Sequence, residues 1–257
     1  MAQHVEMALD MRGARPIRPA NRLLRALPPS EFARLAPHLE RVVLPQNAML
    51  QPVDEEIEHV FFPTRGVASL VVLGPEGEQV DTAIVGNEGM VGLPVFLGTG
   101  RMPVQAVVQV DMEAQRLSAA DLRAELERGG QLINLLQRYT QMVLVELAQL
   151  ILCNRAHTLE QRTARWILQM TDRLAAGAPL AITQDFLASM LGANRPKVTT
   201  VLLSLRAAGL ISYTRGNMQV SDPPALEAIA CACYRTIRDE VDRLLSTTEQ
   251  YDITSTR

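Results

Sequence analysis

The sequence predicts an α+β fold with an N-terminal antiparallel β-roll, a long dimerisation helix and a C-terminal winged helix-turn-helix. Three observations carry this. Between residues 41 and 117, short β-like runs are separated by Gly, Pro and Asn turns. From residue 131 to 154 the apolar period becomes that of a single long helix. At 182–221 two short helical patterns joined by a glycine precede a hairpin pattern.

Residues 1–20 mix Met, Arg and Pro without periodicity and read as a flexible arm. Helical spacing follows at Leu23, Leu24, Leu27, Phe32, Leu35 and Leu39, interrupted by Pro28 and Pro29, with Ser30 placed to cap the second piece. Strands are expected at 41–44, 59–62, 67–73, 80–85, 104–110 and 113–117, with turns at 63–66 (PTRG), 74–77 (GPEG) and 86–89 (GNEG). A small helix at 120–127 ends at Gly129-Gly130. On the long helix, Leu132, Leu136, Tyr139, Val143, Leu147 and Leu150 form one stripe and Ile133, Leu144, Ala148 and Ile151 another. A helix apolar on two faces must be covered twice. The simplest second cover is a copy of itself in a two-fold dimer, the alternative being burial inside one larger core.

Residues 182–221 are the most informative. Thr183 can cap a helix that buries Leu187, Met190 and Leu191 and stops at Gly192; Asn194 can cap a second helix with Val198, Val201, Leu202 and Leu205 on its inner face. Counted from Gln184, Leu187, Leu191, Val198 and Val201 fall where the helices touch, and the small Ala188 falls where they cross. Ile211/Tyr213 and Met218/Val220 then alternate around Arg215-Gly216-Asn217, the pattern of a hairpin wing.

Composition sharpens this. The 257 residues, 47% hydrophobic and 21% charged, suffice for two domains, and the net charge of −3 argues against binding nucleic acid or membrane through bulk charge. Yet residues 180–221 hold Arg195, Lys197, Arg206 and Arg215 against Asp185 alone, a local +3 that leaves the rest of the chain at −6. Lys197 is the single lysine among 25 basic residues. Arg195 can reach guanine O6 and N7 in a major groove, Thr199 and Thr200 can meet a thymine methyl or a hydrogen-bond partner, and Asn194 and Lys197 flank a helix start where a phosphate would sit. The expected DNA-binding residues are Thr183, Asn194, Arg195, Lys197, Thr199, Thr200 and Arg215.

A strand-rich domain, a long helix and ITQDFLASMLGANRPKVTTVLLSLRAAGLI, in that order, resemble the Crp/Fnr family of bacterial transcription regulators over about residues 21–222. The resemblance implies a cyclic-nucleotide-binding-like roll at 21–130, a dimerisation helix at 131–154, a winged helix-turn-helix at 155–222 and a C-terminal helix and tail at 223–257. It further implies double-stranded DNA, a second copy of the chain and RNA polymerase as partners. Members that bind cyclic nucleotides carry Gly-Glu-Leu followed by Arg-Ser; here Met90 stands near the glutamate's place and Arg101-Met102-Pro103 offers no hydroxyl beside its arginine. Oxygen-sensing members hold an iron–sulfur cluster on N-terminal cysteines, and none precedes Cys153. The effector is left unassigned.

No cofactor or metal is expected. Cys153, Cys231 and Cys233 are too few for a disulfide framework, and the second and third are about 200° apart on the helix expected at 224–245, so their thiols should diverge. His4, His38, His59 and His157 share no ligand spacing. A secretion signal is not evident, and Arg138 and Glu146 break the most apolar stretch, so a cytoplasmic protein without a membrane partner is expected. Two rival readings are a metal-dependent barrel enzyme, for which only His59 lies among the strands, and a winged-helix module that binds protein instead of DNA.

Overall fold

β-branched runs between 40 and 118 pair into one antiparallel sheet because each can bury a face against its neighbour. The computed structural model describes residues 19–246 apart from 176 and 215, so nearly all of the expected arm, the tail and Arg215 lie outside the described residues. Two short helices open the described chain, α1 (Arg22–Arg25) and α2 (Pro29–Leu35), before a 3-10 turn at Ala36–His38. The roll follows as β1 (Glu40–Leu44), β2 (Met49–Gln51), β3 (His59–Leu73), β4 (Gln79–Val85), the short α3 (Leu93–Phe96) and β5 (Gln105–Ser118). Strand order is β1-β5-β3-β4, with β2 also on β5.

Where two strands and a turn are expected at 59–73, one 15-residue strand runs through, and the two strands expected at 104–110 and 113–117 likewise form a single strand, Gln105–Ser118. Residues 63–66 are an irregularity in the β3–β5 ladder, not a turn. Gly66 has φ +82°, and a Cβ there would lie 2.2 Å from the Asp111 carbonyl oxygen, so the chain bends and stays paired only with glycine. Asn21 ties the start of the chain to this bend. Its Nδ2 donates to the Pro63 and Gly89 carbonyls at 2.8 and 2.9 Å, while its Oδ1 caps α1. Ser30 is not a cap, since α2 already begins at Pro29 with Pro28 before it.

Ser118 caps α4 (Ala119–Glu127), and Gly129-Gly130 leads into α5 (Gln131–Ala156). Glycine offers no side chain to cap α5. Glu31 supplies one from α2, its carboxylate accepting the Gln131 and Leu132 N–H groups at 2.8 and 3.0 Å. One face of α5 buries Leu132, Leu136, Tyr139 and Val143 against the roll.

A Thr158–Gln161 capping box starts α6 (Leu159–Thr171), followed by β6 (Leu180–Ala181), α7 (Gln184–Met190), α8 (Arg195–Ala207), β7 (Ile211–Thr214) and β8 (Asn217–Val220). The wing is three-stranded, in the order β6-β8-β7. This unit packs on the roll: Val67 and Ile84 join the cluster of Trp166, Leu187 and Leu202, and Arg173 pairs with Glu88 at 2.7 Å in a buried setting.

The helix expected at 224–245 is two helices, α9 (Pro223–Ile229) and α10 (Cys233–Ser246), because residues 230–232 leave the helical path. α10 folds back along α5, placing Val241 and Leu244 in the cluster with Leu135 and Tyr139. The break also overturns the expectation that the thiols diverge. Cys231 Sγ lies 3.5 Å from Cys153 Sγ, and Cys233 Sγ lies 3.6 Å from His157 Nδ1. No described helix is long and apolar enough to cross a membrane.

Candidate nucleic-acid interface

The helix-turn-helix is built by local caps. The Thr183 hydroxyl oxygen accepts the Phe186 N–H at 3.1 Å and starts α7; Gly192, at φ +58°, makes the turn, and the Ala193 N–H closes on the Ala188 carbonyl at 2.9 Å. Asn194 Oδ1 accepts the Lys197 N–H at 3.2 Å and starts α8. Leu187, Ala188, Leu191, Val198, Leu202 and Leu205 are buried between and beneath the helices. Trp166 of α6 meets Phe186 edge-on, with centroids 6.3 Å apart.

The outer face of α8 exposes Arg195, Pro196, Lys197 and Thr200, while Thr199 is half-buried. Thr199 Oγ1 donates to Gln184 Oε1 at 2.6 Å or to the Arg195 carbonyl at 3.0 Å, and Thr200 Oγ1 donates to the Pro196 carbonyl at 3.1 Å. What these threonines present outward is therefore a methyl group and acceptor lone pairs, suited to a thymine methyl or a base amino group. Backbone capture of a phosphate at the start of α8 is restricted, because Pro196 has no N–H and the cap holds that of Lys197.

Arg195 rests 3.4 Å from Asp185, both largely exposed. A pair of that kind is worth at most about 1 kcal/mol, so the guanidinium leaves it at little cost. Tyr213 of β7 donates to the Ile182 carbonyl at 3.2 Å and fastens the wing to the start of the motif. Thr183 is exposed and keeps its hydroxyl proton free of the cap. The Arg195–Asp185 and Thr199–Gln184 contacts bring the starts of α7 and α8 together, with Thr183, Asn194, Arg195, Lys197 and Thr200 exposed and Thr199 half-buried; Arg215 is outside the described residues.

Two residues of this surface were not anticipated. Gln184 positions Thr199 from the neighbouring helix, and its place one turn before Ala188 was the available signal. Leu203 is an apolar side chain 52% exposed on α8, one turn beyond Thr200, and its place off the Val198, Val201, Leu202 and Leu205 face was the available signal.

A second surface lies on α5. Leu144 (61% exposed), Ile151 (73%) and Leu152 (50%) stand open to solvent with Ala148 between them, the stripe expected to need a second cover. Leu144 and Ile151 are seven residues apart, the repeat of paired helices.

In the roll, Met90 is buried in an apolar cluster, and its carbonyl accepts the Tyr139 hydroxyl at 2.9 Å. Arg101 points to solvent, 3.8 Å from Glu56. Neither forms a paired-donor pocket for a cyclic phosphate.

Comparison with known proteins places these features. A cyclic nucleotide-binding domain model matches residues 41–128, and a Crp-like helix-turn-helix domain model matches residues 161–229, together more than half of the chain. Curated protein sequences return no match. Among solved structures, a proposed Crp/Fnr-family transcriptional regulator from Eubacterium rectale is similar at 17% identity, covering 80% of this chain and 96% of that one, with TM-score 0.63. FixK2 from Bradyrhizobium japonicum matches at 16% identity over 76% and 98%, with TM-score 0.60. TTHA1359, a Crp/Fnr-family regulator from Thermus thermophilus, matches at 21% identity over 74% and 98%, with TM-score 0.58. At these identities the likeness is one of fold, and it joins the two domains in one architecture. The matched domains are those of transcriptional regulators and not of enzymes, which removes the metal-dependent barrel enzyme as a reading. A cyclic-nucleotide-binding-type roll, a long helix and a Crp-like helix-turn-helix in this order are the Crp/Fnr arrangement, and the chain belongs to that family.

Proposed function

We propose that the chain is a homodimeric, sequence-specific DNA-binding transcription regulator that sets one α8 helix into each of two adjacent major grooves. The carrying observation is the exposed Arg195, Lys197 and Thr200 face on a helix-turn-helix whose other side is fully packed. Arg195 reads a guanine, Thr199 and Thr200 meet base edges, and Lys197, Asn194 and Thr183 engage phosphates. Arg215 extends the contact from the wing. The open Leu144–Ala148–Ile151 stripe supports pairing through α5. In this reading residues 21–130 form the sensor, 131–154 the dimerisation helix, 155–222 the DNA-binding unit and 223–257 a C-terminal appendage, and the bound dimer acts on RNA polymerase from a promoter.

A buried Met90 and a solvent-facing Arg101 support an effector other than a cyclic nucleotide. The test is binding to the promoter upstream of the protein's own gene, read by fluorescence anisotropy against scrambled DNA. Arg195→Ala is expected to cost about 1–3 kcal/mol on the specific site and to relax preference at one base per half-site. Equal affinity for promoter and scrambled DNA would overturn the reading.

A further inference from the structure

Three cysteines and one histidine from distant parts of the chain meet at the junction of α5 and α6. Cys153 lies in the last turn of α5, His157 is the residue that ends it, Cys231 lies in the break between α9 and α10, and Cys233 begins α10. Among the described residues, the ligand atoms of these four lie within 4.8 Å of one another. The cysteines are fully buried and form a small cluster of their own, while His157 is half-buried.

We propose that Cys153, His157, Cys231 and Cys233 form a closed, tetrahedral site for a zinc-class divalent metal ion that pins the C-terminal helix to the end of the long helix.

The distances match that chemistry. Metal–sulfur bonds of about 2.3 Å and metal–nitrogen bonds of about 2.05 Å at tetrahedral angles separate two sulfurs by about 3.8 Å and a sulfur from a nitrogen by about 3.6 Å. The observed separations are 3.5 Å for Cys153–Cys231 and 3.6 Å for Cys233–His157. Thiolate and imidazole ligands select zinc over the hard cations magnesium and calcium. Four protein ligands leave no open position, so the ion would hold structure and not perform catalysis. An iron–sulfur cluster inserts several irons and sulfides between its ligands and needs them farther apart.

The surroundings suit the charge. On binding, three thiols release their protons, and a dication with three thiolates and a neutral imidazole carries one net negative charge. Arg165, buried on α6, stands near the Cys153 sulfur, and its Nε has no acceptor among the described residues.

All four ligands of the site lie outside the two segments that the domain models match, 41–128 and 161–229. Because its ligands bracket the start of α6, occupancy also fixes how the DNA-binding unit is carried. That consequence rests on the proposed function. The metal site does not, since metal content and DNA binding are measured separately.

The test uses the full chain purified under reducing conditions, with zinc measured by elemental analysis and Co(II) then titrated into the chelator-stripped protein. One metal per chain is expected, with thiolate-to-Co(II) charge transfer and the intense visible bands of tetrahedral cobalt. Cys153→Ser and Cys231→Ser should lose these bands. His157→Ala, which removes only a half-buried ring and should keep the native circular dichroism, should retain charge transfer with shifted visible bands. The proposal is overturned by no bound zinc together with no cobalt spectrum, by iron with acid-labile sulfide, by a Cys153–Cys231 disulfide as the stable form under these conditions, or by variants that bind as the parent does.

Discussion

Asp81 gives the sharpest test of how the roll and the DNA-binding unit are joined. It lies on β4 and reaches α6, its Oδ2 accepting from Trp166 Nε1 at 3.4 Å and from Ser69 Oγ at 3.3 Å, while its Oδ1 has no partner among the described residues. Burial, with the Glu146 charge on α5 adding to it, pushes the Asp81 carboxyl up from 3.8 to about 7; the Trp166 and Ser69 hydrogen bonds and Arg165 only partly oppose this. Glu146, also driven first by burial, rises to about 7. Both acids bind protons more tightly in the folded chain than in the unfolded one. Stability should therefore fall as pH rises from about 4 through 7 and level off above. The rise from 3.8 to about 7, at about 1.4 kcal/mol for each tenfold gain in proton affinity, sets an upper figure near 4 kcal/mol for Asp81. Asp81→Asn removes that charge, so at pH 8 the variant should be more stable by about 2–4 kcal/mol and at pH 4 no more stable than the parent. Urea unfolding at half-unit pH intervals reads this directly. A parent stability that rises over this window, or a difference between the chains that does not change with pH, would refute the reasoning.

Three further outcomes are expected. Lys197→Ala should weaken binding evenly across sequences and lower the salt slope of DNA affinity by about one unit per half-site, measured by titration at several salt concentrations. Ile151→Glu should keep the chain monomeric in sedimentation where the parent forms the proposed dimer, while changing the stability of the single chain by less than about 0.5 kcal/mol, because the side chain is 73% exposed. Gly66→Ala should destabilise the roll by about 3 kcal/mol in denaturant unfolding, since its Cβ meets the Asp111 carbonyl at 2.2 Å in a left-handed backbone.

The legible parts were those whose signals are local. Thr183 and Asn194 act as caps where expected, Gly192 makes the turn, and the stripe through Leu144 and Ile151 stands uncovered, because capping and helical period are written within a few residues. The wing hairpin likewise follows its own alternation. Local chemistry misled where pairing overrode it. The PTRG at 63–66 has turn composition, yet its pairing with β5 carries the strand through. Ser30 follows two prolines, and Pro29 took the first helical position. The cysteine cluster was beyond reach, since it depends on a helix break at 230–232 that sets Cys231 beside a residue 78 positions earlier. Thr199's tether to Gln184 and the cap that Glu31 supplies to α5 are also contacts between elements that no single window contains.

Selection of bound sequences from a random double-stranded pool by the full chain tests the central claim most directly. The account predicts an enriched motif of two inverted half-sites with centres about one helical turn apart, one for each α8 helix of the dimer. A pool that stays unenriched, or a single half-site without symmetry, would contradict it.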